Sequence, residues 1–192
     1  MTSFRKGKNV DVKKDTAQKD TTPTSPPFWK RPWPNRLLWL GLFAGLFLLA
    51  RPWMQGDVIQ GKAPDFSATT LQGETVQLSD YQGQTVLVHF WATWCPICEF
   101  EIDAIEQVGQ DWPVLKVATQ SGTGDALAAY VEKNDMAPTQ VLLDPEGTLF
   151  QRYGAKAVPA SFVINPAGEI AFVEVGYTTQ WGLRARLWWA DR

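Results

Sequence analysis

Two cysteines, Cys95 and Cys98, are the residues whose type and spacing most directly indicate chemistry, and they are the only cysteines in the sequence. They enclose Pro96 and Ile97 and open a segment with helical periodicity. At a helix start, unpaired backbone N–H groups and the helix dipole favour a thiolate, and such surroundings lower a thiol pKa to about 3.5–7.5. We therefore predict that Cys95 attacks disulfides at neutral pH and that Cys98, one turn later, resolves the mixed disulfide. The spacing predicts thiol–disulfide exchange.

The elements around the cysteines are predicted to be a buried strand followed by a helix. Val86–Phe90 is an apolar, β-branched run typical of a strand covered on both faces. After Cys95, apolar residues recur with helical spacing, and Gly109 is the predicted helix end. The predicted buried face of this helix consists of Cys98, Ile102, Ile105 and Val108.

The remaining sequence alternates strands and helices and closes with a hairpin. Predicted strands are Phe66–Thr69, Thr75–Leu78, Val114–Ala118, Gln140–Leu143, Ser161–Ile164 and Glu169–Val175, and predicted helices run over Gly124–Lys133 and from Thr178 or Thr179 to Trp189. The first two strands form a small hairpin. This order predicts an α/β fold with a mixed central sheet flanked by helices.

Length and charge limit the classes of function. The 192 residues are 45% hydrophobic, which is enough for one globular domain with additional sequence. Of the 18 basic and 20 acidic residues, nine basic and three acidic ones lie in residues 1–36, which leaves nine basic and 17 acidic residues in the rest. An acidic domain without a basic stripe is a poor nucleic-acid binder, so we expect no nucleic-acid partner.

The amino-terminal part is predicted to anchor the protein in a membrane. Leu37–Ala50 holds 14 residues without a polar side chain, and Trp33 and Trp53 bracket it as interfacial aromatics. We assign 1–36 to a disordered basic tail, 37–51 to a transmembrane signal anchor, 52–62 to a linker and 63–192 to the catalytic domain. Because 14 residues are few for a span, a cleaved signal peptide is the alternative. The basic tail predicts a single-pass protein of the inner (plasma) membrane, with a cytoplasmic amino terminus and a periplasmic, extracytoplasmic domain.

Four short motifs resemble those of a known family. They are Ala63-Pro64-Asp65-Phe66, Leu78-Ser79-Asp80-Tyr81, Phe90-Trp91-Ala92-Thr93-Trp94-Cys95 and Val158-Pro159. In this order, over roughly residues 63–175, they resemble the membrane-tethered, extracytoplasmic thioredoxin-like family, which includes cytochrome c maturation thioredoxins and suppressor-of-copper-sensitivity disulfide oxidoreductases.

The resemblance implies a thioredoxin fold with an added amino-terminal hairpin, and a protein-disulfide oxidoreductase that needs no cofactor or metal. It implies that Cys95 is the nucleophile, Cys98 the resolving thiol and Pro159 a cis-proline facing the disulfide. The implied substrate-contacting residues are Trp94, Pro96, Val158 and Pro159. Partners would be protein thiols and disulfides and a membrane electron-donor protein, so a reductase is favoured over an oxidase.

Three positions refine this resemblance. Pro159-Ala160-Ser161 stands where the cytochrome c branch usually has Pro-Glu-Thr, which favours the copper-sensitivity branch. Glu101 matches a glutamate that the family places beside its active site and is a candidate for moving a proton, with a solvated helix residue as the alternative. His89 occupies the strand position of a buried carboxylate in thioredoxins. A hydrogen-bonded core residue is the favoured interpretation of His89, and a proton relay is the alternative.

Three alternatives compete with a disulfide oxidoreductase of the copper-sensitivity branch. Two thiolates could hold copper(I), but a single histidine and only three methionines offer no second ligand cluster. A cytochrome c maturation thioredoxin is the second alternative. A peroxidase of the related peroxiredoxin type requires Pro-x-x-x-Thr-x-x-Cys, and here Val88 and Ala92 occupy the proline and threonine positions. The sequence therefore excludes the peroxidase motif.

Overall fold

The computed structural model describes residues 38–47 and 59–192. Residues 38–47 form a helix, α1, whose side chains are mostly exposed. Within the described ranges, no helix has both the length and the apolar character needed to cross a membrane. The predicted tail, the ends of the predicted anchor and residues 52–58 of the predicted linker lie outside the described residues. Those assignments stay predictions.

From residue 59 onward the chain forms four strands, then alternates helices and strands as far as the seventh strand, and ends with the eighth strand and a helix. The strands are β1 (Gly61–Lys62), β2 (Ser67–Thr69), β3 (Thr75–Gln77), β4 (Val86–Trp91), β5 (Val114–Thr119), β6 (Val141–Asp144), β7 (Ala160–Ile164) and β8 (Glu169–Val175), and the helices are α2 (Pro96–Val108), α3 (Asp125–Lys133), α4 (Thr148–Arg152) and α5 (Gln180–Ala190). Six strands form one sheet in the order β1-β8-β7-β4-β5-β6, and β2 and β3 form a separate hairpin. β4, β5 and β6 are parallel, whereas β7, β8 and β1 pair antiparallel. The predicted α/β fold, mixed sheet and hairpin are confirmed.

β4 is the strand around which the two halves of the core are arranged. All of its residues are buried, and successive side chains point to opposite faces. Phe90 lies in an apolar cluster with Tyr153, and Leu87 lies in another cluster with Ile105 of α2 and Leu183 of α5. Covering on both faces explains why this strand is a nearly continuous apolar run. The buried strand thus fixes where the chain emerges just before Cys95.

Two elements of the structure are not predicted by the sequence. α4 is only five residues long, which is too short for a periodic pattern, and the Asp144 carboxylate accepts hydrogen bonds from the Leu149 and Phe150 amides at its start. Gly61 and Lys62, which fall in the predicted linker, form β1 by pairing with β8. A two-residue strand has no periodicity to detect.

The cap of α5 provides a first testable prediction. The Thr179 hydroxyl accepts a hydrogen bond from the Gly182 amide at 3.2 Å, so Thr179 rather than Thr178 is the capping residue. Thr179→Ala should lower the free energy of unfolding by about 1 kcal/mol, as measured by urea denaturation. Thr179→Ser keeps the hydroxyl and should remain close to wild type. Equal loss in both variants would contradict the capping role.

Candidate active site

Cys95 and Cys98 form a disulfide at the amino-terminal end of α2, with their Cα atoms 5.4 Å apart. Cys95 is the N-cap residue, Pro96 occupies the first turn, and the Cys95 sulfur accepts a hydrogen bond from the Cys98 amide at 3.2 Å. Cys95 is 6% exposed and Cys98 is 2% exposed. When the pair is reduced, the same amide and the helix dipole stabilise a thiolate on Cys95. Of the two cysteines, Cys95 is the more exposed residue.

The segment Val158–Pro159 lies opposite the disulfide. The Cys95 sulfur is 3.7 Å from the Val158 carbonyl oxygen, and the Val158–Pro159 peptide bond is cis. β7 begins directly after this segment and pairs with β4, the strand that leads to the cysteines. The neighbouring strands therefore bring Val158 and Cys95 together although they are far apart in sequence. Their predicted role in substrate contact remains a prediction.

The loop after β5 supports Trp94 at the rim of the site. The Trp94 indole N–H donates to the Gln120 carbonyl at 3.0 Å, and the Thr93 amide donates to the Ser121 hydroxyl at 3.0 Å. Gln120 has a φ of 48°, in the left-handed region. Trp94 and Pro96 are both exposed, as a substrate-contacting role requires. The Gln120 contribution is not predicted by the sequence, because it depends on a single backbone carbonyl.

Glu101 is buried at the second turn of α2, so the alternative interpretation as a solvated helix residue is wrong. One carboxylate oxygen accepts a hydrogen bond from the Thr178 amide, and the other, Oε2, is buried without a hydrogen-bond partner in the structure. Burial raises the pKa of Glu101 to about 7, and the hydrogen bond from Thr178 opposes this rise. The group can therefore hold or release a proton near neutral pH.

His89 lies in the interior and is hydrogen-bonded, which confirms the core interpretation. Its Nδ1 atom is 2.9 Å from the Ser161 hydroxyl, and the side chain is 3% exposed. Burial, with a smaller effect from the Lys116 charge, lowers the pKa of His89 to about 3. His89 is therefore neutral at physiological pH, and a neutral, buried imidazole of such low basicity is a poor proton carrier.

A buried lysine beside His89 is the main feature that the sequence does not predict. Lys116 faces His89 in the β4–β5 register, is fully buried and forms an ion pair with the half-buried Glu106 of α2. Burial lowers the pKa of Lys116 and the contact with Glu106 opposes this. The available signal is a single charge inside the apolar run Val114–Thr119. In the described ranges, no group of three His, Cys, Asp or Glu side chains is arranged to hold a metal ion.

Comparisons with known proteins agree with this geometry. The model of the AhpC/TSA family matches residues 59–173. A thioredoxin-like protein of Haemophilus influenzae is 34% identical over 123 residues, covering 63% of this chain and 72% of its own length. The thiol-disulfide oxidoreductase ResA of Bacillus thuringiensis is 30% identical, covering 57% of this chain and 65% of its own length. Among solved structures, a thiol:disulfide interchange protein of the thioredoxin family from Chlorobium tepidum matches 70% of this chain and 98% of its own, with a TM-score of 0.61 and 25% identity.

Proposed function

Since this chain belongs to the AhpC/TSA family, and its relatives include thiol-disulfide oxidoreductases of the ResA type, we propose that it is a protein-disulfide oxidoreductase that uses Cys95 and Cys98. The observation that carries the proposal is the disulfide itself, with the more exposed cysteine, Cys95, at a helix start and opposite the Val158 carbonyl. Each of these features serves nucleophilic attack by Cys95.

The exchange proceeds in two balanced steps from the reduced protein. The Cys95 thiolate attacks one sulfur of a substrate disulfide, which forms a mixed disulfide and releases the other substrate sulfur as a thiolate. The Cys98 thiolate then attacks the Cys95 sulfur, which restores the internal disulfide and releases the second substrate thiolate. Two electrons pass from the protein dithiol to the substrate. The reverse sequence oxidises a substrate dithiol.

Glu101 is the group that we assign to the proton of the resolving step. Cys98 must lose its proton before it attacks, and Glu101 lies one helical turn further along α2. A carboxyl group with a pKa of about 7 and an unpartnered oxygen can accept that proton at neutral pH. His89, held neutral and hydrogen-bonded to Ser161, serves the core instead.

The direction of electron flow and the cellular location are part of the same proposal. We place the protein in the inner (plasma) membrane through residues 37–51, with its catalytic domain outside the cytoplasm. The basic residues in 1–36 and the bracketing Trp33 and Trp53 support this orientation. A domain tethered there is well placed to receive electrons from a membrane protein, which favours a reductase. Ala160-Ser161 after Pro159 favours the copper-sensitivity branch over cytochrome c maturation.

Trapping of mixed disulfides tests the roles of the two thiols. Cys98→Ala should accumulate covalent complexes with substrate proteins, because Cys95 still attacks and nothing resolves the product. Cys95→Ala is the matched control and should accumulate none. Non-reducing gel electrophoresis of an extracytoplasmic extract, with and without reductant, measures the difference. Identical behaviour of the two variants would contradict the assigned roles.

The reduction potential of the Cys95–Cys98 couple tests the direction. A reductase should have a value near that of thioredoxin, about −270 mV, whereas an oxidant should lie near about −120 mV. Equilibration with a glutathione or dithiothreitol redox buffer gives the potential. A potential near about −120 mV would contradict the reductase proposal but would not contradict the proposed disulfide exchange.

A further inference from the structure

The outer edge of the sheet at β8 is only partly paired. β8 runs over Glu169–Val175, and in residues 59–192 its outer neighbour is β1, which pairs with Glu169 and Ile170 alone. The rest of the strand, Ala171–Val175, has no strand beside it on that side within the same residues. A groove of about 460 Å³ follows this stretch. We call Ala171–Val175 the free edge.

The backbone of the free edge presents hydrogen-bonding groups that face no strand. In antiparallel pairs, successive residues direct their amide and carbonyl alternately to one neighbour and to the other. The Gly176 amide donates to the Pro159 carbonyl at 2.8 Å, so Gly176 and, two residues earlier, Glu174 face β7. The amides and carbonyls of Val173 and Val175 therefore point away from β7. An added extended strand matches them, because its own outward groups recur every second residue.

The segment that leads into β1 turns away from the free edge as far as the structure describes it. Gly61 has a φ of 82°, in the left-handed region, at the point where the pairing of β1 with β8 begins. Straight continuation of β1 would bring Ile59 opposite Phe172. The Ile59 amide instead donates to the Tyr153 carbonyl, at 3.4 Å, at the end of α4. A strand that covers the free edge must therefore come from elsewhere.

The charges of the free edge favour an apolar, extended partner. Glu174 is the one charged residue in Ala171–Val175, and its carboxylate already pairs with Arg186 of α5 at 2.6 Å. A charged partner segment thus finds no uncompensated charge to bind. Val173 and Val175 are half-buried β-branched residues, which pack well against β-branched residues of a neighbouring strand.

A second copy of the free edge meets these requirements. When two copies align antiparallel about Val173, each Val173 faces its counterpart, and Glu174 faces Phe172 of the second copy, so no like charges lie opposite each other. Val175 then faces Ala171 of the second copy. The next position, Ile170, is already paired with Gly61 of its own chain. The alignment therefore uses the whole free edge and ends where β1 begins.

From this complementarity we infer that the protein forms a two-fold dimer in which the free edges of two copies pair antiparallel about Val173. The pairing joins two six-stranded sheets into one continuous sheet. The inference does not depend on the proposed disulfide exchange. The free edge lies two strands away from β4, the strand that leads to the cysteines, so dimer formation and exchange can be measured separately.

Analytical ultracentrifugation of the full chain in detergent micelles tests the inference. The wild type should sediment as a two-chain particle that dissociates on dilution. Val173→Pro removes an amide that faces no strand of its own chain, so the variant should fold, and its dimer dissociation constant should rise at least about tenfold. Val173→Thr, which keeps the amide and the β-branched shape, is the matched control and should behave as the wild type.

Two charged variants test the register of the pairing. Val173→Lys and Val173→Glu each bring like charges together at the two-fold axis, so each alone should sediment as a single chain. An equimolar mixture of the two should restore the two-chain particle, because opposite charges then face each other. This rescue depends on Val173 lying opposite its own counterpart.

The reaction with oxidised glutathione shows whether each variant is folded, and it should be unchanged in all of them. Absence of this reaction from the wild type would contradict the proposed exchange and leave the dimer unaffected. If Val173→Pro alone loses it, that variant is misfolded and the mixture of the charged variants decides. A single-chain wild type at every concentration would overturn the inference, as would a dimer that both the proline and the charged variants retain.

Discussion

Between pH 6.5 and pH 3, the free energy of unfolding should fall by about 5 kcal/mol less in His89→Asn than in the wild type. The pKa of His89 is lowered from 6.5 to about 3, first by burial and then by the Lys116 charge, and each pKa unit is worth about 1.4 kcal/mol. Because the unfolded chain binds this proton and the folded one does not, stability is fully present above pH 6.5. It is lost as the pH falls toward 3.

Urea denaturation at closely spaced pH values checks this prediction. The quantity of interest is the difference between the wild-type and His89→Asn curves, because other titrating groups cancel in it. Asparagine can still hydrogen-bond to Ser161 but carries no titrating proton, so any constant cost of the substitution shifts the curve without changing its slope. Parallel curves for the two proteins would contradict the neutral, buried state of His89.

Replacing Glu101 with glutamine should remove a loss of stability that occurs as the pH rises, whereas the loss due to His89 occurs as the pH falls. Burial raises the pKa of Glu101 from 4.5 to about 7 against the smaller effect of the Thr178 hydrogen bond. The folded state then binds the proton more tightly than the unfolded state. Its contribution to stability is present below pH 4.5 and is lost as the pH rises to 7. The wild type should therefore lose about 3 kcal/mol relative to Glu101→Gln over that interval.

The same substitution tests the proposed proton transfer. The rate of the resolving step is measured by release of a bound substrate thiol after single turnover. In the wild type this rate should depend on an ionisation near pH 7, and in Glu101→Gln that pH dependence should be absent. Glu99→Gln is the matched control, because Glu99 is exposed on the same helix, and its profile should follow the wild type. An unchanged ionisation in Glu101→Gln would assign that proton to another group.

Taken together, the contributions of these two groups to the stability of the wild type should nearly cancel over part of the acid range. Between about pH 4.5 and 6.5, the loss from His89 on acidification and the gain from Glu101 are of similar size and opposite sign. Below pH 4.5, of these two contributions only that of His89 continues to change, and it falls with the pH. The pH dependence of stability that comes from these two groups should be absent from the variant that combines His89→Asn with Glu101→Gln.

The sequence predicts the elements whose signals are local. β4 is a nearly continuous apolar run interrupted by His89, α2 has a clear buried face, and the predicted bounds of β8 are those of the structure. The cysteine pair is likewise local, because its chemistry depends on two nearby thiols and a helix start. Each of these predictions needed only a window of a dozen residues.

The properties of the site's charged residues depend on contacts between distant parts of the chain. The buried carboxylate of Glu101 accepts a hydrogen bond from the amide of Thr178, 77 residues later in the chain. His89 is neutral first because it is buried and second because of the charge of Lys116 on the adjacent strand β5. No local pattern encodes such a partner, so the sequence left both residues with open alternatives and did not predict Lys116 at all.

The pairing of β1 with the beginning of β8 determines at which end of the sheet the described part of the domain begins. Gly61 pairs with Ile170, which pairs with Ile164, which in turn pairs with Val86 at the start of β4. The cysteines follow the other end of β4. β1 is therefore aligned with the start of β4, whereas the cysteines follow the end of β4. The two ends are five strand residues apart, which is about 17 Å. The redox loop therefore leaves the sheet at the end opposite to the one at which β1 joins it, so whatever precedes β1 enters the domain far from the reactive sulfur.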